Sequence, residues 1–425
     1  MVKQILFKKL TLMNVRLFYG VAGFAICSAV FSCEKRGGGP EGTDGGKVVY
    51  VISNDYHENA NAVLAYRRKP DGSLAPLPGS PFFTHGAGLA NPKQVLGPDD
   101  TDDPLVISDD GRFLLAVNGG SNTVAVFSIN PDGSLVAVAG SPFPSGGQTP
   151  CSVAVNGRFV YVANKAFDPL HVITQQPNYT TFEVDDAGRL SPVPNGTIDV
   201  PAGSSPSQVL LSNDRRFLFA TDFLAFMLPT EEPTGTLLSF GLQGDRGLSP
   251  APDAPYVVPK GDGGALGLAT NPRSDRTLYV GFPVAGAFGV YDIDPSTGVA
   301  NFVTQVAGGP ATCWIRTNST GSRLYTLNSG ENSVGVYNTD QAQAPTFISK
   351  LTLKDAANNG DFALGFSPDG GTLYVVSQNV DTTFSANNNW LHVLQVAADG
   401  TLTEPGAPLQ LPVPNDVRPQ GVATR

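Results

Sequence analysis

The sequence predicts an all-β chain: a seven-bladed β-propeller of four-stranded antiparallel blades, the first blade closed by the C-terminal strand. Three observations predict it. A short apolar-aromatic run recurs seven times at a spacing of roughly 46–65 residues, which marks a repeat architecture. Each such run is flanked by further apolar runs and by Gly-containing turns, the punctuation of antiparallel hairpins. The repeats are also out of phase at the ends: the propeller begins on a middle run and finishes on a first-type run. The two ends therefore share a blade, and no sheet edge is left open around the ring.

The elements follow in chain order. Lys3, Lys8, Lys9 and Arg16 precede an apolar run over 17–31, which leads into Ser32-Cys33. This is the pattern of a bacterial lipoprotein signal spanning 1–33, with Cys33 as the lipidated residue. Residues 34–46 are a Gly-rich tether, and the propeller covers 47–425. The expected location is extracytoplasmic, periplasmic or surface-facing, with the membrane touched through the lipid alone. The apolar run is too short to favour a membrane span.

Blade one has its middle run at 49–52 and its third at 63–66, and 421–423 supplies the missing first run. Blades two to seven place first runs at 106–108, 152–155, 209–212, 266–269, 313–315 and 363–366. Their middle runs fall at 113–118, 159–164, 217–220, 277–280, 323–328 and 372–376. Third runs fall at 124–127, 180–184, 237–240, 288–291, 334–337 and 391–394. Turns such as Asp71-Gly72, Asp132-Gly133 and Asp399-Gly400 after third runs require positive φ. With 41% hydrophobic residues the core is adequate, so the 48 glycines and 35 prolines read as turn punctuation.

Charge excludes one class of partner. A net charge of −10, with no cluster of Lys and Arg, is incompatible with a nucleic-acid surface. Cys151 and Cys313 occupy equivalent places in blades three and six, too far apart to bridge. There is no Cys-x-x-Cys or paired-His spacing for zinc.

The turns on one face are uniformly tight, whereas 54–60, 82–104, 165–179, 222–235 and 377–389 are lengthened, and all belong to the face around the channel mouth. His57, His85 and His171 lie in these loops and are the candidate catalytic bases. His392 falls inside a third run and reads as packed or solvated. Asp99, Asp100, Asp102 and Asp103 are candidate Ca²⁺ ligands or a solvated acidic loop. Phe223, Phe226 and Met227 form a lid or a ligand wall. Cys151, Ser207, Gln208, Thr312, Arg316, Arg418 and Gln420 line the mouth as candidate ligand-binding residues, and Arg316 and Arg418 are the cations placed to meet an anion.

The run Ser-Asp-Asp-Gly-Arg-Phe-Leu-Leu-Ala-Val-Asn over 108–118, with 122–129 and Asp132-Gly133-Ser134-Leu135, resembles the lactonase family of seven-bladed propellers. That family includes a bacterial type of 6-phosphogluconolactonase and the carboxymuconate lactonizing enzyme. The resemblance spans about 47–425. It implies ring-opening of a sugar lactone, or the related cyclisation, at the channel mouth without a required cofactor. Where the family usually carries Pro-His, this chain has Pro150-Cys151, Pro206-Ser207 and Pro310-Ala311-Thr312.

Two functional readings follow. One is a lipid-anchored hydrolase of a sugar-derived or otherwise anionic lactone, with a loop histidine as base and Arg316 or Arg418 as anion clamp. The other is a non-catalytic propeller that binds a polysaccharide, small molecule or partner protein through its elaborated loops. Both treat the chain as a monomer.

Overall fold

Seven antiparallel sheets form the molecule, and the first is built from both ends of the chain. The structure is a computed structural model. It describes residues 48–425 apart from 92, 94–98, 224–234, 243–246, 260–263, 355–356 and 358. The signal segment, Cys33, the tether, Phe226 and Met227 lie outside the described residues. Among the described residues no helix is long and apolar enough to cross a membrane.

Blade one pairs Val48–Ile52 with Ala62–Arg68 on one side and with the C-terminal Gln420–Thr424 on the other. Inner strands of the remaining blades are Leu105–Ile107, Pro150–Asn156, Pro206–Leu211, Leu268–Asn271, Thr312–Thr317 and Asn359–Phe366. Each blade then runs outward in chain order through its second, third and fourth strands. The expected first, middle and third runs all become strands. The inner strand of blade five begins at Leu268, two residues later than expected, although Leu266 N–H still donates to Gly281 O of the same blade at 3.1 Å.

Seven apolar clusters lie between neighbouring blades. The closing one sets Val49, Val51, Leu64 and Tyr66 of blade one against Tyr374, Val376 and Leu391 of blade seven. A physical reason for the recurring tyrosine in the middle runs is visible here. A buried Tyr carries a hydroxyl that needs a partner, and that partner is a backbone carbonyl on the next blade. Tyr50 donates to Gly133 O at 2.7 Å and Tyr325 to Gly400 O at 2.9 Å. Each accepting glycine closes a hairpin with positive φ, 87° and 89° respectively. The aromatic run and the Asp-Gly turn are thus two halves of one inter-blade joint.

Between blades five and six the backbones approach without intervening side chains. Gly267 N–H donates to Cys313 O at 3.1 Å, and a Cβ on Gly281 would collide with the same carbonyl. Replacing Gly281 by alanine forces these strands apart, at an expected cost of about 1–3 kcal/mol. Urea unfolding would register this as a lower midpoint with unchanged slope.

Candidate functional site

Inner strands present their residues to the ring axis, and there the chain has placed a segment of itself. Thr101 donates its hydroxyl to Ser207 O at 2.9 Å and also lies against Cys151 O. Its carbonyl accepts Trp314 Nε1–H at 2.7 Å. Lys165 Nζ donates to Asp100 O at 2.5 Å, and Gln420 Nε2 donates to Asp99 O at 2.5 Å. These partners belong to blades one, three, four and six. Only a segment lying on the axis reaches four such blades, so residues 99–103 fill the mouth side of the channel.

The ionic contacts complete this arrangement. Arg316 Nη2 meets Asp102 Oδ1 at 3.2 Å and Asp103 Oδ1 at 3.0 Å, while Gln208 Nε2 donates to Asp103 Oδ2 at 2.7 Å. Asp102 is buried and Arg316 mostly so. Burial pushes the Asp102 carboxyl up, and the guanidinium of Arg316 opposes that push. Arg418 is buried too, donates through Nε to Asn379 O at 2.8 Å and to Asn91 O, and its guanidinium stands 5.3 Å from the centre of the Phe384 ring.

Six of the seven expected ligand-binding residues, Cys151, Ser207, Gln208, Arg316, Arg418 and Gln420, therefore contact Asn91 or residues 99–103. The seventh, Thr312, bonds Gly309 O and Asn328 Oδ1 at 2.9 Å each. Burial pushes the Cys151 thiol up to about 11, opposite to what a thiolate nucleophile needs. Both Cys151 and Cys313 are free thiols. Asp102 and Asp103 face Arg316 and Gln208, and Asp99 faces Asn91. Among the described residues no group of three or more His, Cys, Asp or Glu is placed to hold a metal ion.

The candidate bases lie outside this axial cluster. His57 and His171 each place Nδ1 2.7 Å from a carboxylate, Asp55 and Asp168 respectively, with the imidazoles 54% and 59% exposed. Such a pairing orients the ring and leaves Nε2 toward solvent. His85 is exposed and has φ of 58°. The loops of His57 and His85 are tied together through Gly88 N–H to Asp55 O, whereas His171 stands apart on blade three.

His171 belongs to the loop that walls a cavity of about 180 Å³ between blades three and four. Phe167, Ile173 and Pro177 line one side, and Gly203, Ser204 and Ser205 line the other. Gln148 pins this loop, its Oε1 accepting the backbone N–H groups of Thr174 and Gln175 at 2.7 and 2.8 Å. Sequence reasoning placed the long loop on this face but did not find the cavity, whose opposite wall comes from an ordinary inter-blade turn.

A second polar set was also missed. Across blade seven, Ser377 Oγ lies 3.0 Å from Asp361 Oδ1 and 2.9 Å from His392 Nε2, and His392 Nδ1 lies 2.8 Å from Glu404 Oε1. The order serine–imidazole–carboxylate is that of an activated nucleophile. Ser377 and His392 are fully buried, however, so the set serves as a polar cross-tie through the blade. Desolvation pushes Asp361 up to about 8 and Asp222, beside the cavity, up to about 6.

The comparisons with known proteins agree with the architecture. Residues 100–184 match the family described as lactonase, 7-bladed beta-propeller. No curated protein sequence matches the chain. Among solved structures, a provisionally named 6-phosphogluconolactonase from Bacteroides fragilis superposes with a TM-score of 0.65 at 18% identity, covering 91% of this chain and 100% of its own. The periplasmic gluconolactonase of Pseudomonas aeruginosa gives 0.64 at 18% identity, covering 88% and 99%. A hypothetical selenium-binding protein from Sulfolobus tokodaii gives 0.62 at 11% identity, covering 89% and 93%. The chain is thus a seven-bladed propeller, with residues 100–184 similar to the lactonase family. At these identities the structural likeness establishes the fold, and the chemistry has to be argued from the site.

Two outcomes follow from the buried charges. Arg316→Ala leaves two carboxylates unpaired inside the channel and is expected to destabilise by about 3–5 kcal/mol in chemical denaturation. The folded pKa of Asp361 lies above its unfolded 3.8, so the native state binds more protons between 3.8 and about 8. Its stabilising effect is full at low pH and is lost as pH rises through that window. Asp361→Asn should match the wild type in thermal unfolding near pH 3, below both pKa values, and exceed it near pH 9.

Proposed function

We propose that this chain is an exported, lipid-anchored hydrolase that opens a sugar-derived lactone at the cavity between blades three and four. The observation that carries the reading is the placement of the His171–Asp168 pair on the loop that walls this cavity. The lactonase-type fold supports the choice of reaction. Asp168 accepts the Nδ1–H of His171 and so leaves Nε2 free to take a proton. A water deprotonated there attacks the lactone carbonyl, and the tetrahedral adduct collapses with cleavage of the ring C–O bond. The imidazolium returns its proton to the departing alkoxide, giving the open hydroxy acid.

The full chain, assayed against a panel of sugar lactones, should turn over at least one of them faster than buffer. His171→Ala should lower that rate about 10²–10⁴-fold, the usual contribution of a general base. His57→Ala and His85→Ala should leave it within a few-fold. A His171→Ala variant with undiminished turnover overturns the assignment of the base, and no turnover of any lactone overturns the hydrolase. Lipid anchoring is tested separately by metabolic labelling with a fatty acid, which Cys33→Ala should abolish.

A further inference from the structure

The same cavity limits what it can hold. None of the residues that line it carries a formal charge. Behind Ser205 stands the buried carboxyl of Asp222, which accepts the Ser205 backbone N–H. The nearest cation in sequence, Lys165, follows the adjoining strand but turns its ammonium group to Asp100 O and lies fully buried. Arg316, the cation expected to clamp an anion, is held by Asp102 and Asp103. A phosphate or carboxylate brought here would be desolvated beside carboxylates without a counter-ion, which is strongly unfavourable.

The lining suits a different chemistry. Phe167, Gln175 and Gln176 are among the lining residues, an aromatic ring and two uncharged amides. Ser205 is 2% exposed and its hydroxyl has no hydrogen-bond partner. A buried hydroxyl without a partner is costly, and a ligand that supplies one recovers that cost. The volume of about 180 Å³ falls below the several hundred cubic ångströms of drug-sized sites, so one ring fits and a longer oligosaccharide does not.

We propose that this cavity binds a single uncharged polyhydroxylated ring, a free sugar or sugar lactone, and discriminates against its phosphorylated counterpart. The word lactone rests on the hydrolase reading above; the preference for an uncharged ring does not.

Calorimetry and saturation-transfer NMR on the full chain test this with three probes: gluconolactam, which resists hydrolysis, glucose, and glucose 6-phosphate. Gluconolactam or glucose should bind, and glucose 6-phosphate at least about tenfold more weakly than glucose. Ser205→Ala should weaken binding roughly tenfold, the order expected for one hydrogen bond. It should leave the unliganded unfolding temperature unchanged or raise it, because the hydroxyl it removes is unpaired. Ala202→Trp, which fills the cavity from its exposed rim, should abolish binding. Tighter binding of the phosphate, or binding of neither neutral probe, overturns the proposal, as does binding indifferent to both variants. Binding as expected with no lactone turned over upholds the cavity and removes the hydrolase. Lactone turnover with binding indifferent to both variants does the reverse.

Discussion

The contact of Arg316 with Asp102 and Asp103 on the propeller axis decides how the rest of the molecule can work. A ring of blades has a hole at its centre, and the backbone and side-chain groups of its inner strands need partners there. In this chain residues 99–103 supply them. The Thr101 carbonyl serves Trp314, its hydroxyl serves Ser207, and the Asp103 carboxylate is shared by Arg316 and Gln208. The segment ties blades one, three, four and six, of which only three and four are neighbours. It also brings negative charge into the place where the lactonase resemblance would put an anionic substrate. A guanidinium already facing two carboxylates has little attraction left for a third, so the axis acts as a structural hub and the reactive surface moves outward.

Burial of so many carboxylates is tolerated by three different means. Asp103 is matched by a cation and an amide. Burial pushes Asp361 toward its protonated form, and Ser377 Oγ lies within hydrogen-bond distance of Asp361 Oδ1 and of His392 Nε2, with His392 Nδ1 beside Glu404. Glu404 in turn accepts the Lys354 backbone N–H at 2.8 Å. Asp222 is raised less, because backbone and serine donors favour its ionised form. Asp361, raised further than Asp222, is the more alkali-sensitive of these two.

The fold was legible because its signal is repeated: seven middle runs, each with a tyrosine or other large apolar residue, cannot all be accidents of composition. Position within the repeat also led correctly to the inner-strand residues Cys151, Ser207, Gln208, Arg316 and Gln420. What they touch was not legible, since the 91–103 segment occurs once and has no counterpart in the other blades. The cross-tie was hidden for the opposite reason. Asp361, Ser377, His392 and Glu404 come from four different parts of one blade, and only strand pairing brings Ser377 beside both of its partners. The sequence left His392 either packed or solvated; it is buried, and its partners are polar.

The loops then decide where chemistry can occur. A propeller offers its mouth face to every blade alike, and symmetry alone would favour the axis as the site. Once the axis is filled, the usable concavities are those between a lengthened second-to-third-strand loop and the neighbouring inter-blade turn. Blade three meets that condition best: its loop is held open by Gln148, carries an oriented imidazole, and faces the short turn containing Gly203 and Ser205. The loop of His57 is instead drawn against the inter-blade segment by Gly88, and Tyr56 stacks on its imidazole at 4.4 Å. Two Asp–His pairs of equal geometry thus differ in what stands beside them, a cavity in one case and a packed loop in the other. That difference in surroundings, more than any difference in the histidines, is what favours His171 as the proposed base.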